Sequence, residues 1–571
     1  MAKVIKNAPS PSPWDSEVRL LAWLATCVSV FSFLFYFQRG DVLLYGDAVA
    51  HINIARRVFD SKTPGLLQLG TVWLPLPHLL MVPFLFSNEM WRRGVGGSIP
   101  SMVAYVFGVI GIFRLVRGAL SRGPLSRGTE PDRMASLAAW TAAVVYAANP
   151  NLIYMQTTAM GEALYLAFFV WAVVYFAESM RGVSKALTKC GLCLAAACLT
   201  RYDGWFLAAA MAATVVVGSV LAGASAANKA PAFRCTRAAV VKFVLLAAAA
   251  PSLWLAYNAI VYRNPLEFAN GPYSAKAIER KTQTGANPGH PGSGNPLLAA
   301  RYFLKSAEAN VAENEWLQRA WVLLAVASIV VAAFTYRSGN NNSAPSPPVA
   351  WPLLFLLIPV PFYAFSVAYS GVPIFIPAWW PFSHYNVRYG LQLLPAFAAT
   401  PAILLHRALV HRCGGGETWK PRLRLACVLG IFAVVIASYV SVWRAGPVSL
   451  KEAQVNMGTR NQLESEVAVW LEKLPPDSTL LMYLGDHVGA LQQAGIPLQH
   501  VINEGNHRTW KQPADPDGLW ERALADPAHY ADYVMAFEGD SVWQAVQARH
   551  LPALVEIHVT GQARAILYRA R

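Results

Sequence analysis

Long apolar segments alternate with short polar connections over the first 445 residues of the chain. A helix that crosses the hydrocarbon core of a bilayer needs roughly 20 mostly apolar residues. Stretches of this kind lie near 18–38, 99–118, 134–150, 158–178, 187–201, 205–222, 241–262, 317–336, 351–371, 389–408 and 424–445. The pattern therefore predicts a mainly α polytopic membrane bundle of about eleven transmembrane helices.

The pattern changes after Pro447, where no apolar run of span length remains. Short runs with the alternation of strands are separated here by runs with helical period, which is typical of a small α/β domain. The predicted strands are Thr479–Leu484, His500–Asn503, Tyr533–Glu538, Leu554–Val559 and Ala565–Arg569. We therefore divide the chain into a transmembrane domain, 1–446, and a C-terminal α/β domain outside the membrane, 447–571.

Composition and charge agree with a membrane protein. Of the 571 residues, 55% are hydrophobic and 14% are charged, and the formal net charge is +15. The basic residues gather in every second connection between the apolar segments, so the positive-inside rule assigns those connections and the N-terminus to the cytoplasm. The positive charge then orients a multi-pass protein, as in a bacterial inner membrane, and does not indicate a nucleic-acid partner.

Residues 39–98 form the first external loop, and the part from Tyr45 to Leu80 is too polar to cross a bilayer. At helical period Asp47 and His51 share one face, while Asn53, Arg56, Arg57 and Asp60 lie on another. This spacing predicts an amphipathic helix along the membrane surface, with Asp47 near the end of the first span. An equally simple interpretation makes Asp47 only the N-cap of that helix.

A second long external connection covers residues 263–316. Its part from Gly271 to Pro296 is rich in glycine and proline. Two interpretations remain open: a flexible loop that orders over a ligand, or a connector without a ligand.

Several charged and aromatic residues occur at the external ends of predicted spans, where burial of a charge is costly. Glu162 opens the fourth span, the sequence LTRYDGW follows the fifth, and SHYNVRYG leads into the tenth. The residues concerned are Glu162, Arg201, Tyr202, Asp203, His384, Arg388 and Tyr389. Their common side of the membrane favours one pocket for an anionic ligand that carries a sugar.

The order of these features resembles the GT-C superfamily of polytopic glycosyltransferases. An external acid in a helix follows the first span, WLPLPHLL precedes the second, an acid opens the fourth, a basic residue follows the fifth, and RYGLQLLPA lies late in the bundle. The layout is most similar to the branch that contains protein mannosyltransferases and the aminoarabinose transferases of lipid A. The chain departs from the family's commoner pair of adjacent acids, since Gly46, Asp47 and Ala48 stand there.

The resemblance implies transfer of a sugar from a polyprenyl-phosphate donor to a hydroxyl of a lipid, glycan or protein acceptor. Asp47 would be the catalytic base, and Arg388 and Arg201 would bind the donor phosphate. The predicted substrate-binding residues are His51, Glu162, Tyr202, Asp203, His384 and Tyr389. A divalent cation, Mg²⁺ or Mn²⁺, would have Asp47 and His51 as its only candidate ligands, which is a poor set for either ion.

Two other functions fit the membrane spans. A secondary transporter also places polar residues within a bundle, but such proteins commonly show internal repeats and binding groups near the midplane. We detect no repeat, and the polar residues gather at one edge. A scaffold anchored by the bundle would not need charged residues near so many span ends.

Overall fold

A computed structural model describes residues 15–121, 132–224, 236–282, 289–338, 350–410, 421–506 and 517–571. Helices dominate, as predicted. The α-helices are α1 (Ser16–Gln38), α2 (Gly46–Arg57), α3 (Leu76–Met81), α4 (Asn88–Arg92), α5 (Val95–Leu120), α6 (Arg133–Ala147), α7 (Pro150–Met155), α8 (Glu162–Met180), α9 (Ala186–Cys198), α10 (Asp203–Ala224), α11 (Arg237–Val261), α12 (Glu267–Asn270), α13 (Ala275–Thr282), α14 (Pro296–Val311), α15 (Glu315–Ser338), α16 (Pro359–Tyr369), α17 (Leu394–Val410), α18 (Pro421–Ala445), α19 (Val448–Met457), α20 (Arg460–Leu471), α21 (Val488–Ala494), α22 (Leu519–Ala525), α23 (Pro527–Tyr530) and α24 (Ser541–Gln547). Short 3-10 segments cover Asp41–Leu43, Leu66–Leu69, Val82–Phe84, Trp351–Leu357, Val387–Leu393 and Leu498–His500.

The C-terminal region carries the predicted sheet. Its strands are β1 (Leu480–Met482), β2 (Val501–Ile502), β3 (Tyr533–Phe537), β4 (Ala553–Ile557) and β5 (Ala565–Arg569). They lie in the order β2-β1-β3-β5-β4, with β1 parallel to both β2 and β3, and with β5 antiparallel to β3 and β4. Each observed strand falls at a predicted position, which confirms the α/β character of this region.

Within the described residues, eight helical segments are long and apolar enough to cross a membrane. These segments make the chain an integral, multi-pass membrane protein. The predicted spans at 134–150 and 187–201 fall on α6 and α9, which have 15 and 13 residues. At about 1.5 Å per residue both helices are shorter than a hydrocarbon core of roughly 30 Å. The predicted span at 317–336 corresponds to α15, which is not among the eight.

Helix α2 lies inside the protein rather than along an open surface, contrary to the prediction. Asn53, Arg56 and Asp60, assigned to its polar side, are all buried. Burial is possible because their polar atoms have partners. Asn53 Nδ2 donates to Gln492 Oε1 at 2.7 Å, and Arg56 Nε pairs with Asp60 Oδ2 at 2.6 Å. Helix α2 is therefore enclosed between the bundle and the C-terminal domain.

The predicted long loop 263–316 is largely helical. Residues 283–288 lie outside the described residues, but α12, α13 and α14 occupy most of the remainder. Helix α14 packs one face against the segment Val387–Leu393, and its Tyr302, Phe303 and Ala307 are buried at helical spacing. The sequence before α14 is rich in glycine and proline, so the prediction assigned the region to a loop and missed this apolar face.

Gly390 allows that close packing. A Cβ atom at this position would collide with the backbone of Ser306 and Ala307 in α14. We therefore expect Gly390→Ala to destabilise the protein by about 1–3 kcal/mol, as overpacking usually does. Gly430→Ala is the matched control, because the added Cβ meets nothing within 4 Å in α18. The free energy of unfolding in detergent micelles would distinguish them, and equal effects would contradict the close approach.

Helix α19 lies beyond the predicted boundary at 446/447, yet it packs against the bundle. Its Ser449 N–H donates to Asn151 Oδ1 of α7 at 2.9 Å, and Tyr45 Oη donates to the Ser449 carbonyl at 2.7 Å. These contacts place the next turn of α19, with Glu452, beside Val387–Leu393.

Candidate active site

Arg388 lies at the centre of a buried group of charges. Its side chain is only 6% exposed, and it donates Nη2 to Asp47 Oδ2 at 2.8 Å and Nε to Glu162 Oε1 at 3.3 Å. The third carboxylate, Glu452, receives Nη1 and also accepts the Arg388 backbone N–H at 3.1 Å. One guanidinium thus joins α2, α8 and α19.

Glu162 connects this group to a second guanidinium. The same Oε1 atom accepts Arg201 Nη1 at 3.0 Å. Arg201 Nη2 donates to Tyr363 Oη at 2.9 Å, and Tyr363 in turn donates to Asp203 Oδ2 at 2.8 Å. We name Asp47, Glu162, Arg201, Asp203, Arg388 and Glu452 the charge cluster.

Local structure explains the positions of three carboxylates. Asp47 lies in the first turn of α2, and Glu162 and Asp203 are the first residues of α8 and α10. The N-terminus of a helix carries a partial positive charge, which stabilises a carboxylate there. Because Tyr45 holds the N-cap position of α2 and makes no side-chain cap, the N-cap interpretation of Asp47 is wrong.

Tyrosine rings cover the two guanidiniums. The ring of Tyr389 lies 4.9 Å from Arg201 Cζ and 5.2 Å from Arg388 Cζ, and Tyr45 covers Arg388 at 4.9 Å. Cations are attracted to the faces of such rings. The rings also limit access of water to the cluster, which strengthens its electrostatic interactions.

Asp47 is the accessible member of the charge cluster. Its side chain is 43% exposed, whereas the side chains of Glu162 and Glu452 are 1% and 0% exposed. The cluster also holds two more carboxylates than guanidiniums. A substrate that enters from the open side therefore meets the Asp47 carboxylate, which Arg388 holds in place. The excess of buried carboxylates makes the electrostatic potential behind it negative.

His51 is close to this site and pairs with His78 from α3. Their Nδ1 and Nε2 atoms are 2.7 Å apart, and the His51 ring lies 4.7 Å from the Trp73 ring. Burial lowers the pKa of both imidazoles, well below the usual range for His78. Both rings are therefore neutral near pH 7, with one N–H donating to the other ring.

Two predicted residues lie apart from the cluster. Tyr202 donates to the Val72 carbonyl at 3.1 Å and stacks on Phe268 at 4.9 Å, so its role is in packing. His384 has Lys451 and Glu313 as its electrostatic neighbours, and burial lowers its pKa. The structure thus brings together Asp47, Glu162, Arg201, Asp203, Arg388 and Tyr389.

Glu452 and Tyr363 are the cluster contacts that sequence reasoning missed. Glu452 stands between Leu450 and Ala453 in a segment assigned to the external domain, and Tyr363 lies within an apolar span. The one usable signal was Glu452 itself, an acid within a helix of buried residues directly after the last span.

The predicted divalent cation is poorly matched by the residues present. Over the described ranges, no group of three or more His, Cys, Asp and Glu side chains could hold a metal ion. Asp47 Oδ2 accepts from Arg388, and His51 Nδ1 is paired with His78. Mg²⁺ prefers six oxygen ligands in near-ideal octahedral geometry, so we derive no step through a metal.

No family model matches the sequence, and neither does any curated protein. The structure is similar to ArnT from Cupriavidus metallidurans. Its complex with undecaprenyl phosphate matches with a TM-score of 0.50 and 14% identity, and its apo form with 0.51 and 13%. Each match covers 97% of this chain and 98% of the other. An Archaeoglobus fulgidus oligosaccharyltransferase matches with a TM-score of 0.46 and 12% identity, over 97% of this chain and 74% of that one. The chain therefore has the fold of ArnT, which agrees with the predicted polytopic helical bundle and its small C-terminal α/β domain.

Proposed function

We propose that this protein is a membrane glycosyltransferase that moves a sugar from a polyprenyl-phosphate donor to an acceptor hydroxyl, with Asp47 as the base. The observation that carries the proposal is the exposure of Asp47 at the open side of an otherwise buried charge cluster. The fold supports it, since the similar ArnT structure holds undecaprenyl phosphate. The positions of the basic loops support a site on the extracytoplasmic face.

In the proposed reaction the acceptor hydroxyl attacks the anomeric carbon from the face opposite the phosphate. The acceptor O–H bond breaks and its proton passes to the Asp47 carboxylate, while a new bond forms between the acceptor oxygen and the sugar. The bond from the anomeric carbon to the phosphate oxygen breaks, and the polyprenyl phosphate leaves with the electron pair. Configuration at the anomeric carbon is inverted.

Arg388 then has two roles. It fixes the direction of the Asp47 carboxylate through the contact at 2.8 Å, which is the positioning that general-base catalysis requires. It also compensates Glu162 and Glu452 behind that carboxylate. The remaining excess of carboxylates would stabilise the positive charge that develops on a sugar ring as its glycosidic bond breaks.

The predicted contact of Arg388 and Arg201 with the donor phosphate stays a prediction. Both guanidiniums donate to carboxylates of the cluster, so a phosphate could bind them only by displacing Glu162, Glu452 or Asp47. A phosphate that displaces an already paired carboxylate exchanges one anion for another, so the gain in binding free energy is small. This geometry favours a positioning role for both arginines.

The test is transfer from defined donors. The full-length protein in proteoliposomes would receive polyprenyl-phosphate sugars labelled in the sugar, together with membrane glycolipid acceptors. We expect label to move to an acceptor and polyprenyl phosphate to be released in equal amount. Uptake of free sugar into the vesicles without any transfer would instead support a secondary transporter and contradict the proposal.

A further inference from the structure

The C-terminal domain contacts helix α2 directly beside Asp47. Arg460, the first residue of α20, donates Nη2 to the Leu44 carbonyl at 3.1 Å. A second atom of the same guanidinium, Nη1, lies against Gly46, the residue that precedes Asp47. One side chain of the C-terminal domain therefore contacts the backbone that leads into the first turn of α2.

The contact explains why a glycine stands at position 46. A Cβ atom there would collide with Arg460 Nη1 and would lie 3.3 Å from Arg460 Cζ. Gly46 is not among the glycines with a positive φ, so its backbone conformation does not require glycine. The missing side chain leaves the space that the Arg460 guanidinium occupies.

Arg460 is held from behind by its own domain. Its side chain is 20% exposed, and its Nε atom lies 3.9 Å from Oε1 of Glu464, one turn further along α20. The other oxygen of Glu464, Oε2, lies so close to Gly489 of α21 that a Cβ atom there would collide with it. Packing therefore continues from α21 through α20 to the start of α2.

The other contacts of α2 with the C-terminal domain are separate from this one. The Gln499 N–H donates to Asp60 Oδ1 at 2.9 Å, beyond the far end of the helix. At the near end, Tyr45 is bound to the Ser449 carbonyl and makes no side-chain cap. Arg460 is thus the residue of α20 that holds the turn carrying Asp47.

The charge of Arg460 does not account for its place. A cation near the N-terminus of a helix opposes the helix dipole, so the charge itself does not stabilise α2. The contact instead determines where the backbone of Leu44 and Gly46 lies, and Asp47 projects from that backbone. A misplacement of about 1 Å at a reacting group can cost roughly 10²-fold in rate.

We propose that Arg460 is a positioning residue for the proposed reaction, which sets the position of Asp47 through Leu44 and Gly46. Arg388 fixes the carboxylate from the side of the bundle, and Arg460 fixes its backbone from the side of the C-terminal domain. Sugar transfer then depends on the docking of that domain. The inference rests on the proposed function, because it takes Asp47 as the base from it.

The first experiment measures kcat and the donor KM of Arg460→Ala in proteoliposomes. We expect kcat to fall by about 10- to 100-fold, the effect of a misplaced reacting group, with KM unchanged. Arg460→Lys should restore part of the rate, because an ammonium can still donate to the Leu44 carbonyl. Arg564→Ala is the matched control, since Arg564 is 39% exposed and pairs with Glu556 within the sheet at 3.2 Å. The control should have the wild-type kcat.

A double-mutant cycle tests the route through Gly46. Gly46→Ala alone should lower kcat, because the added Cβ displaces the Arg460 guanidinium. In the Arg460→Ala background the same substitution should cause no further loss, because nothing remains to be displaced. Such non-additivity is the mark of two residues in contact. Losses that simply add would mean that the two residues act independently, and would overturn the proposal.

Hydrogen exchange separates positioning from general stability. The amides of Ala48 and Val49 donate to the Tyr45 carbonyl at 3.1 and 3.2 Å in the first turn of α2. In Arg460→Ala these amides should exchange faster, while the rest of α2 and the sheet exchange as in the wild type. Faster exchange throughout the C-terminal domain would assign Arg460 a purely structural role and overturn the proposal.

Failure of this inference and failure of the proposed function have different results. If the wild type transfers sugar and Arg460→Ala keeps the wild-type kcat, only this inference is wrong. If the wild type transfers no sugar, the proposed function is wrong, and this inference falls with it. Should Arg460→Ala fail to fold, Gly46→Ala decides, because it retains Arg460: a lowered kcat supports the proposal, and the wild-type kcat overturns it.

Discussion

Asp47→Asn is expected to lower the rate of sugar transfer by about 10²- to 10⁴-fold, the usual contribution of a positioned general base. The substitution removes the proton acceptor but keeps an amide oxygen that can still accept from Arg388 Nη2. The fold and the binding of undecaprenyl phosphate should therefore be retained. Initial rates of transfer at saturating donor, for wild type and variant in the same proteoliposomes, measure the effect.

The control for this experiment is Asp477→Asn. Asp477 is an exposed residue of the C-terminal domain and is not a member of the charge cluster, so the same chemical change should leave transfer unaltered. Transfer by Asp47→Asn at the wild-type rate would remove Asp47 as the base. Loss of lipid binding together with activity would show that the carboxylate contributes to binding rather than to proton transfer.

Arg388→Met is expected to lower the free energy of unfolding by about 3–5 kcal/mol, the cost of removing one partner from a buried ion pair. Methionine fills much of the space but leaves Glu452 and Glu162 without their shared counter-ion. The effect should therefore exceed the loss of packing alone. Denaturant titration in detergent micelles gives the difference between variant and wild type.

An exposed arginine of the first external loop is the comparison for this substitution. Arg93 pairs with Glu89, and both side chains are about 60% exposed. Exposed pairs contribute roughly 0–1 kcal/mol, so Arg93→Met should have little effect. A similarly small effect of Arg388→Met would mean that water reaches the charge cluster and that the burial described above is wrong.

Much of the architecture can be predicted from the spacing of the hydrophobic residues along the chain. The strands of the C-terminal domain were predictable because each lies in a short, mostly apolar run between turn residues. Strand β5 was predicted with its observed ends, Ala565–Arg569. The ends of membrane spans are harder to predict than the strands. A short apolar helix such as α9 has the same residue composition as part of a longer helix.

The charge cluster was predictable only in part. Arg388, Glu162 and Asp47 stood out because charges at span ends are costly and need partners. Glu452 did not, because its segment follows the last span and was assigned to the external domain, so the burial of its neighbours in α19 was not predicted. The pairing of His51 with His78 depends on a contact between residues 27 positions apart, which periodicity does not encode.

Arg388 receives its carboxylate partners from residues 47, 162 and 452. During synthesis the ribosome makes the arginine before Glu452 and well before the residues that enclose α2. Until α19 emerges and docks, Arg388 Nη1 and the Arg388 backbone N–H therefore lack the acceptor that Glu452 supplies. A chain that stalls or is cleaved before that helix would leave these two donors without their acceptor, a feature that distinguishes an unfinished chain from a finished one.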